Sequence, residues 1–560
     1  MKSIVKFCLL LLSGIILFSS CRRGDDRGKM IPGDALFAAV INTEDLKDKL
    51  SWDEIKQSDW FNRMYNDTAT EDWLKKIFDN PDASGIDTQA GFIFFVTKSS
   101  DNYDIVFEGK LKNESDFEKF NQNLDRSATL KGEGGVKLYS IKNKTVAGWN
   151  DENFVFITSS GALARNLPPQ LDSLRDEYLL QETPDANELS ARCLKLFSLK
   201  KDSSLAQNKI FVNLLKEKGD IHGWMNIEQI VKNTGGMAMV GMFKLDLFFR
   251  ENISTYTLNF EDGKIDVKQH AYVNKEFTDF LQKYKSDELN TDLLSLIPSQ
   301  DIIGAGAMNF NPEGLKELIK LTGMDGMLNS FISGLGFNLD DFVNAQNGDI
   351  MVAITDLAFT QDSVTIPEES GVIKKRENAN GRFIFSAGVR DKQSFQKLIH
   401  AGEELNKSMP MKKDRIAYNM NDEYFVMGNN QEIINQFLGG NKNAADFTDR
   451  LKGHPVGAYI DFQKILKAIS DGSPIRDTSA TEVLEASKKL WQNGVFTGGD
   501  WDGDAMTAHY EINLVDKQTN SLKQLNQYFN YLSKFASSSK MKMKNFSSDS
   551  TMIVTVSSPQ

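Results

Sequence analysis

The pattern of apolar and polar positions changes character several times along this chain. Phe7 to Phe18 is an apolar run broken only by Ser13 and Gly14. It falls short of the roughly 20 apolar residues that a bilayer-spanning helix needs. Further on, the runs shrink to strand length. Ala90–Val96 is apolar and rich in aromatic and β-branched residues, which predicts a strand. Tyr103–Lys112 alternates, with Ile105, Phe107 and Gly109 on one face, and predicts a second strand after the polar turn Ser99, Ser100, Asp101 and Asn102. Phe117, Phe120 and Leu124 then recur at helical spacing over Glu114–Leu124, with Asn113 or Ser115 as N-cap. Asp262-Gly263 and Asp502-Gly503 lie between alternating segments and suit the positive φ of a tight hairpin turn.

Hairpins joined to amphipathic helices predict an α+β protein, with mostly antiparallel sheet and helices packed on one face. The units resemble the ferredoxin-like arrangement. The patterns also recur. Ala38–Asn42 running into Glu44-Asp-Leu-Lys matches Gly306–Asn309 running into Glu313-Gly-Leu-Lys, each after an Ile-Pro pair, Ile31-Pro32 and Ile297-Pro298. Ile105–Phe107, Leu111–Asn113 and Phe117–Phe120 match Phe383–Phe385, Val389–Asp391 and Phe395–Leu398. Asn150-Asp-Glu-Asn-Phe-Val155 matches Asn421-Asp-Glu-Tyr-Phe-Val426. Trp224-Met-Asn226 with Ile230 matches Tyr459-Ile-Asp461 with Ile465, and Phe260–Gly263 matches Trp501–Gly503. Blocks recurring in one order predict an internal duplication. The expected halves are residues 31–290 and 291–560, with the seam near 285–296.

The N-terminus carries the most specific signal. Lys2 and Lys6 precede the apolar run, and Leu17-Phe18-Ser19-Ser20-Cys21 closes it, as in a secretory leader. The segment resembles the lipobox of bacterial lipoproteins, with small residues before a required cysteine and Phe18 where Leu is usual. The resemblance implies a signal peptide over residues 1–20 and lipid on Cys21. Each buried CH₂ contributes about 0.8 kcal/mol, so several acyl chains make a durable anchor. Residues 21–30, with Arg22, Arg23, Asp25 and Asp26, read as a polar tether. Together the leader, the Ile-Pro openings, the repeated halves and the Asn-Asp-Glu-x-Phe-Val strand resemble an uncharacterised group of long Bacteroidota lipoproteins, classed as a domain of unknown function. That resemblance brings no catalytic residue with it.

Composition narrows the function classes. The chain has 560 residues and a net charge of −12, which disfavours nucleic acid as a partner. Loss of Lys2 and Lys6 with the leader makes the remainder more acidic. Of three cysteines, Cys8 leaves with the leader and Cys21 is lipidated, so Cys193 has no disulfide partner and reads as a small core residue.

Candidate chemistry is sparse. Asp500, Asp502, Asp504 and Glu511 fall in a calcium-loop register, but Ala505 stands where that loop needs Gly; a hairpin turn with solvated acids is preferred. His222, His270, His400, His454 and His509 show no zinc spacing, so no metal or other cofactor is expected. Asp151-Glu152 and Asp422-Glu423 recur in both halves and read as turn residues, though a carboxylate pair formed only in the fold stays open. Trp52, Trp60 and Trp73, with Trp224 and Tyr459, are candidates for a ligand platform, with core packing as the preferred alternative. The expected function is a non-catalytic binding, scaffold or assembly module. It would be held at the outer membrane by lipid on Cys21, facing the periplasm or the cell surface, with a protein or glycan ligand. A carboxylate-dependent hydrolase of glycan or peptide, and a periplasmic folding or transport factor, are the alternatives.

Overall fold

A computed structural model describes residues 27–546 except 69, 100–101, 143, 162–183, 234–243, 366–372, 409–415, 444 and 473–477. The leader and Cys21 therefore lie outside the described residues. The first strands are β1 (Phe37–Ile41), β2 (Ile86–Asp87), β3 (Phe92–Ser99), β4 (Asn102–Leu111), β5 (Leu130–Glu133), β6 (Val136–Ile141), β7 (Thr145–Trp149), β8 (Asn153–Ser159), β9 (Ile221–Asn226), β10 (Ile253–Glu261) and β11 (Lys264–Tyr272). The rest are β12 (Ile302–Asn309), β13 (Gln346–Thr365), β14 (Ile373–Val389), β15 (Ala417–Met420), β16 (Tyr424–Gly428), β17 (Val456–Asp461), β18 (Trp491–Asp502) and β19 (Ala505–Leu514).

These strands form one continuous antiparallel sheet. From one end the order is β5, β6, β7, β8, β4, β3, β1, β9, β10, β11. It continues through β19, β18, β17, β12, β13, β14, β16 and β15. Short β2 pairs with the end of β4. The α+β class and the antiparallel sheet match the sequence reading. One split βαβ connection of the ferredoxin-like kind is present: β14 and β15, joined by helix Lys392–Ser408, both pair antiparallel with β16 between them.

Strand order repeats about the β11–β19 pair. Outward from β11 come β10, β9, β1, β3, β4, β8 and β7; outward from β19 come β18, β17, β12, β13, β14, β16 and β15. The recurring sequence blocks occupy equivalent places in these two series. The matching hairpins turn at Gly263 and Gly503, with φ of 67° and 58°. Each hairpin leaves one outer strand, β11 or β19, and these pair from Lys264↔Asn513 to Tyr272↔Ala505. An unpaired edge is a template for aggregation, and this pairing removes one from each half.

Helices lie on both faces of the sheet rather than on one. Helix Ala186–Phe197 packs Leu189, Cys193 and Leu196 against Leu138, Val146, Val106, Phe95 and Trp224. On the same face, Leu293, Ile434, Phe437 and Leu451 cover Ala305, Met351, Ile384 and Val495. Helix Glu114–Leu124 instead covers the opposite face near one end, burying Phe117 and Phe120 on Phe92, Phe107, Phe154 and Phe156. At the other end Phe395 packs on Ala387 and Val389, with Phe385 and Phe425 beside them. Both parities of β3 are apolar over Phe92–Val96, so alternation is muted there, whereas β4 keeps it with Asn102, Asp104, Glu108 and Lys110 on one parity.

Cys193 is fully buried. Burial pushes its thiol up to about 12, which leaves almost no thiolate at neutral pH. In native protein Cys193 should resist iodoacetamide and react only after unfolding, which mass spectrometry can follow with and without urea. Rapid labelling of the native chain would contradict this packing.

Candidate functional site: an uncharged open face of the sheet

Directly paired residues on antiparallel strands share a face. One such row runs Phe383, Ile354, Gly304, Ile460, Gly494, Ile512, Ile265, Phe260. The next runs Phe385, Val352, Gly306, Ala458, Phe496, Tyr510, Val267, Leu258. A third runs Ala387, Ile350, Met308, Val456, Gly498, Ala508, Gln269, Tyr256. None of these positions, from β14 across the seam to β10, carries a charge. The polar groups satisfy one another: Tyr510 Oη donates to Gln269 Oε1 at 2.8 Å, and Gln269 Nε2 donates to Tyr256 Oη at 3.3 Å.

Among the described residues no element seals the centre of this face, though Phe462 lies beside Gly494. Val352 is 44% exposed, Ile354 49%, Ile460 39%, Met308 37%, Tyr510 37% and Phe383 36%. Burying one such side chain is worth about 1.5–3 kcal/mol. A contiguous run of them open to water is the mark of an interaction surface. Glycines sink the floor. A Cβ built on Gly304 would meet one heavy atom within 4 Å, Tyr459 O at 3.3 Å; on Gly306 it would meet only atoms of Gly457 and Ala458, the nearest at 3.4 Å. In the first half the corresponding row on β1 holds Phe37 and Ala39, and Phe37 packs edge-on against Phe94 with centroids 6.2 Å apart.

The opposite face of the same seam is ionic. His509 Nε2 lies 2.7 Å from Asp266 Oδ1, and Arg450 donates to Glu511 at 2.9 Å. Burial raises the Asp266 carboxyl, but hydrogen bonding and charge from His509 and Lys264 hold it below its ordinary range. The two faces thus exchange character at the seam: ionic between the two covered cores, apolar on the open side.

The aromatic candidates pack inside the protein, as the preferred reading of the sequence had it. Trp52 and Trp224 are buried and offer a ligand no surface. Trp52 Nε1 donates to Phe78 O at 2.9 Å. Trp60 joins the first helices to helix Ser521–Phe546, donating from Nε1 to Asn526 Oδ1 at 2.8 Å with its ring edge-on to Phe529. Trp73 packs on Phe120, and Tyr459 stacks on Phe447 with centroids 4.4 Å apart. All five are packing residues: Trp52, Trp60 and Trp73 share one cluster, and Trp224 and Tyr459 lie in two others.

The acidic candidates disperse too. Asp500 holds His454 Nδ1 at 2.6 Å, while Glu511 faces Arg450, so the calcium register does not converge. Asn150 and Asn421 make the same turn in both halves. Asn150 Oδ1 accepts from Glu152 N and Asn153 N at 3.0 and 2.7 Å; Asn421 Oδ1 accepts from Glu423 N and Tyr424 N at 2.9 and 2.8 Å. Glu152 and Asp422 meet Lys110 and Lys392 at the surface. Among the described residues no three His, Cys, Asp or Glu side chains gather as a metal site. One carboxyl is strongly perturbed: burial pushes Glu108 up to about 7. Its cross-strand neighbours are Ile93 and Val155. A groove of about 430 Å³ lined by Thr478, Glu482, Lys489 and Tyr531 is open, and Glu482 is paired with Lys534.

The open face left a trace in the sequence. Ile302-Ile-Gly-Ala-Gly-Ala-Met308 has no polar residue on either parity. Such a run ordinarily marks a strand covered on both sides. Here one side is left open among the described residues, which no local pattern reveals.

Among the described residues, no helix is long and apolar enough to cross a membrane. Comparison with curated proteins finds no match. A solved structure titled "Structure of crystal form III of TP0453" is similar at 9% identity over 47% of this chain and 88% of that one, with a TM-score of 0.24, too low to carry an argument. A family model, "Domain of unknown function (DUF4836)", matches residues 28–469, and the chain belongs to that family.

Proposed function

We propose that this protein is a non-catalytic binding module of the cell envelope, tethered by lipid on Cys21, that engages an apolar ligand on the open face of its sheet. The observation that carries the reading is the uncharged, uncovered surface around Val352, Ile354 and Ile460. The leader and its lipobox support the tether, and the likeness to Bacteroidota lipoproteins supports the address. The repeated strand order supports an ancestral duplication, with β11 and β19 joining two copies of one unit.

Two measurements test it. Cys21→Ser should abolish incorporation of radiolabelled palmitate and move the protein from the membrane to the soluble fraction. Unchanged labelling would refute the anchor. For the face, the dye bis-ANS should fluoresce strongly with the native chain. Ile354→Lys and Val352→Lys should each remove most of that signal without lowering the melting temperature. Equal dye binding by folded variants would refute the face as the binding surface.

A further inference from the structure

We propose that the outer edge of β15 receives an extended segment of a partner protein as an added antiparallel strand. This is a second site, independent of the open face. The two strand series carry the proposal. Beyond β4 the sheet continues through β8, β7, β6 and β5. Beyond β14 it continues through β16 and β15, and among the described residues nothing pairs with the far side of β15. β15 stands where β7 stands, so its bare edge is the one that β6 covers in the first half. β6 and the turn after it occupy residues 136–144. That is more chain than the whole connection 409–416 between helix Lys392–Ser408 and β15. A strand of that length cannot come from this connection.

The edge is built to accept one. Asn421 N donates to Tyr424 O at 3.0 Å. Alternation along the antiparallel pair then turns the N–H and C=O of Ile416 and Tyr418 outward. Met420 N is bonded to Asn419 Oδ1 at 2.8 Å, which leaves its carbonyl facing out. Ile416 is 60% exposed and Tyr418 42%. No residue from Ile416 to Met420 carries a charge, whereas β5, at the other end of the sheet, guards its edge with Lys131 and Glu133. Helices flank β15 on both faces. Ala417 packs on the core that helix Gln431–Leu438 covers, and Met420 on the one that holds Phe395 of helix Lys392–Ser408. Tyr418 Oη donates to Glu403 of that second helix. β6 is held the same way, with Leu138 in the core under helix Ala186–Phe197 and Tyr139 in the one under helix Glu114–Leu124. A slot between two helices fits a single strand, apolar on both faces like β6, better than the flank of a second copy. Main-chain hydrogen bonds give such a strand its affinity.

The probe is a fluorescein-labelled peptide with the sequence of residues 134–142, Gly-Gly-Val-Lys-Leu-Tyr-Ser-Ile-Lys. It is titrated with the full chain carrying Cys21→Ser, and saturable binding is expected by fluorescence anisotropy. In β6, Tyr139 pairs with Ala147 and turns its N–H toward β7. N-methylation of the peptide at that tyrosine should weaken binding at least about tenfold, and N-methylation at the leucine before it less than about twofold. Tyr418→Pro removes the outward N–H and spares the ladder to β16, since proline is tolerated on an edge. It should weaken binding as much as the first methylation. If it melts early, Tyr418→Lys, which puts a charge on the edge, provides the same comparison. In the chain alone the Tyr418 amide should exchange rapidly with deuterium, and slowly once the peptide is bound. No saturable binding, equal loss from the two methylated peptides, or unchanged affinity in a folded variant would overturn the proposal. A protected Tyr418 amide in the lone monomer would show that the chain fills its own edge. A dimer that Tyr418→Pro dissolves would assign the edge to a second copy. Either result would overturn the proposal as well.

Discussion

Glu108→Gln should be more stable than the parent by about 3 kcal/mol at pH 8, and by less than about 1 kcal/mol at pH 5. Glu108 lies on β4 between Ile93 and Val155, its Oε2 buried without a hydrogen-bond partner. Burial raises its pKa from 4.5 to about 7, with Lys110 pulling weakly the other way. The folded state therefore binds the proton more tightly than the unfolded chain. Below pH 4.5 both states are protonated and there is no penalty. Between 4.5 and 7 stability falls as pH rises, and above 7 the full penalty applies. Glutamine mimics the protonated acid at every pH, so the gap between the two proteins isolates this one group. Urea unfolding at a series of pH values measures it. A gap that stays flat from pH 5 to pH 8 would mean that Glu108 is solvated or paired.

Gly85→Ala should cost about 3 kcal/mol or more, a loss beyond most single substitutions. Gly85 has φ of 75°, and a Cβ there would lie 2.2 Å from Asn113 O and 2.3 Å from Phe117 N. Both contacts are backbone at the start of helix Glu114–Leu124, whose N-cap Asn113 accepts from Asp116 N. The helix cannot retreat without lifting Phe117 and Phe120 out of their aromatic cluster. Gly134→Ala separates collision from backbone strain. Gly134 also has positive φ, 59°, but nothing lies within 4 Å of its Cβ position. That variant should lose only about 1–2 kcal/mol. If the two substitutions cost the same in urea titrations, the close approach at Gly85 is wrong.

Much of the local structure was legible. Asn113 caps its helix, and both Asp-Gly hairpins form with glycine at positive φ. The recurring blocks lie at equivalent positions of the two strand series, because each block contains its own turn or cap. The candidate aromatic platform could not be decided from sequence for an equally physical reason. A tryptophan spells the same whether it is covered or bare. Trp224 is fully buried in a cluster that also takes Leu189, Cys193, Phe211 and Leu214 from helices elsewhere in the chain.

The sequence by itself determined the strands Phe92–Ser99 and Asn102–Leu111, the capped helix after them and both Asp-Gly turns. Those outcomes depend on side chains within a few residues of one another. The pairing of β11 with β19, and the bare face that crosses it, were decided by tertiary structure alone. Whether Gly306 and Val352 meet water or a helix depends on where distant helices dock. Among the described residues they dock on the two ends of that face and on its reverse, and leave the middle open.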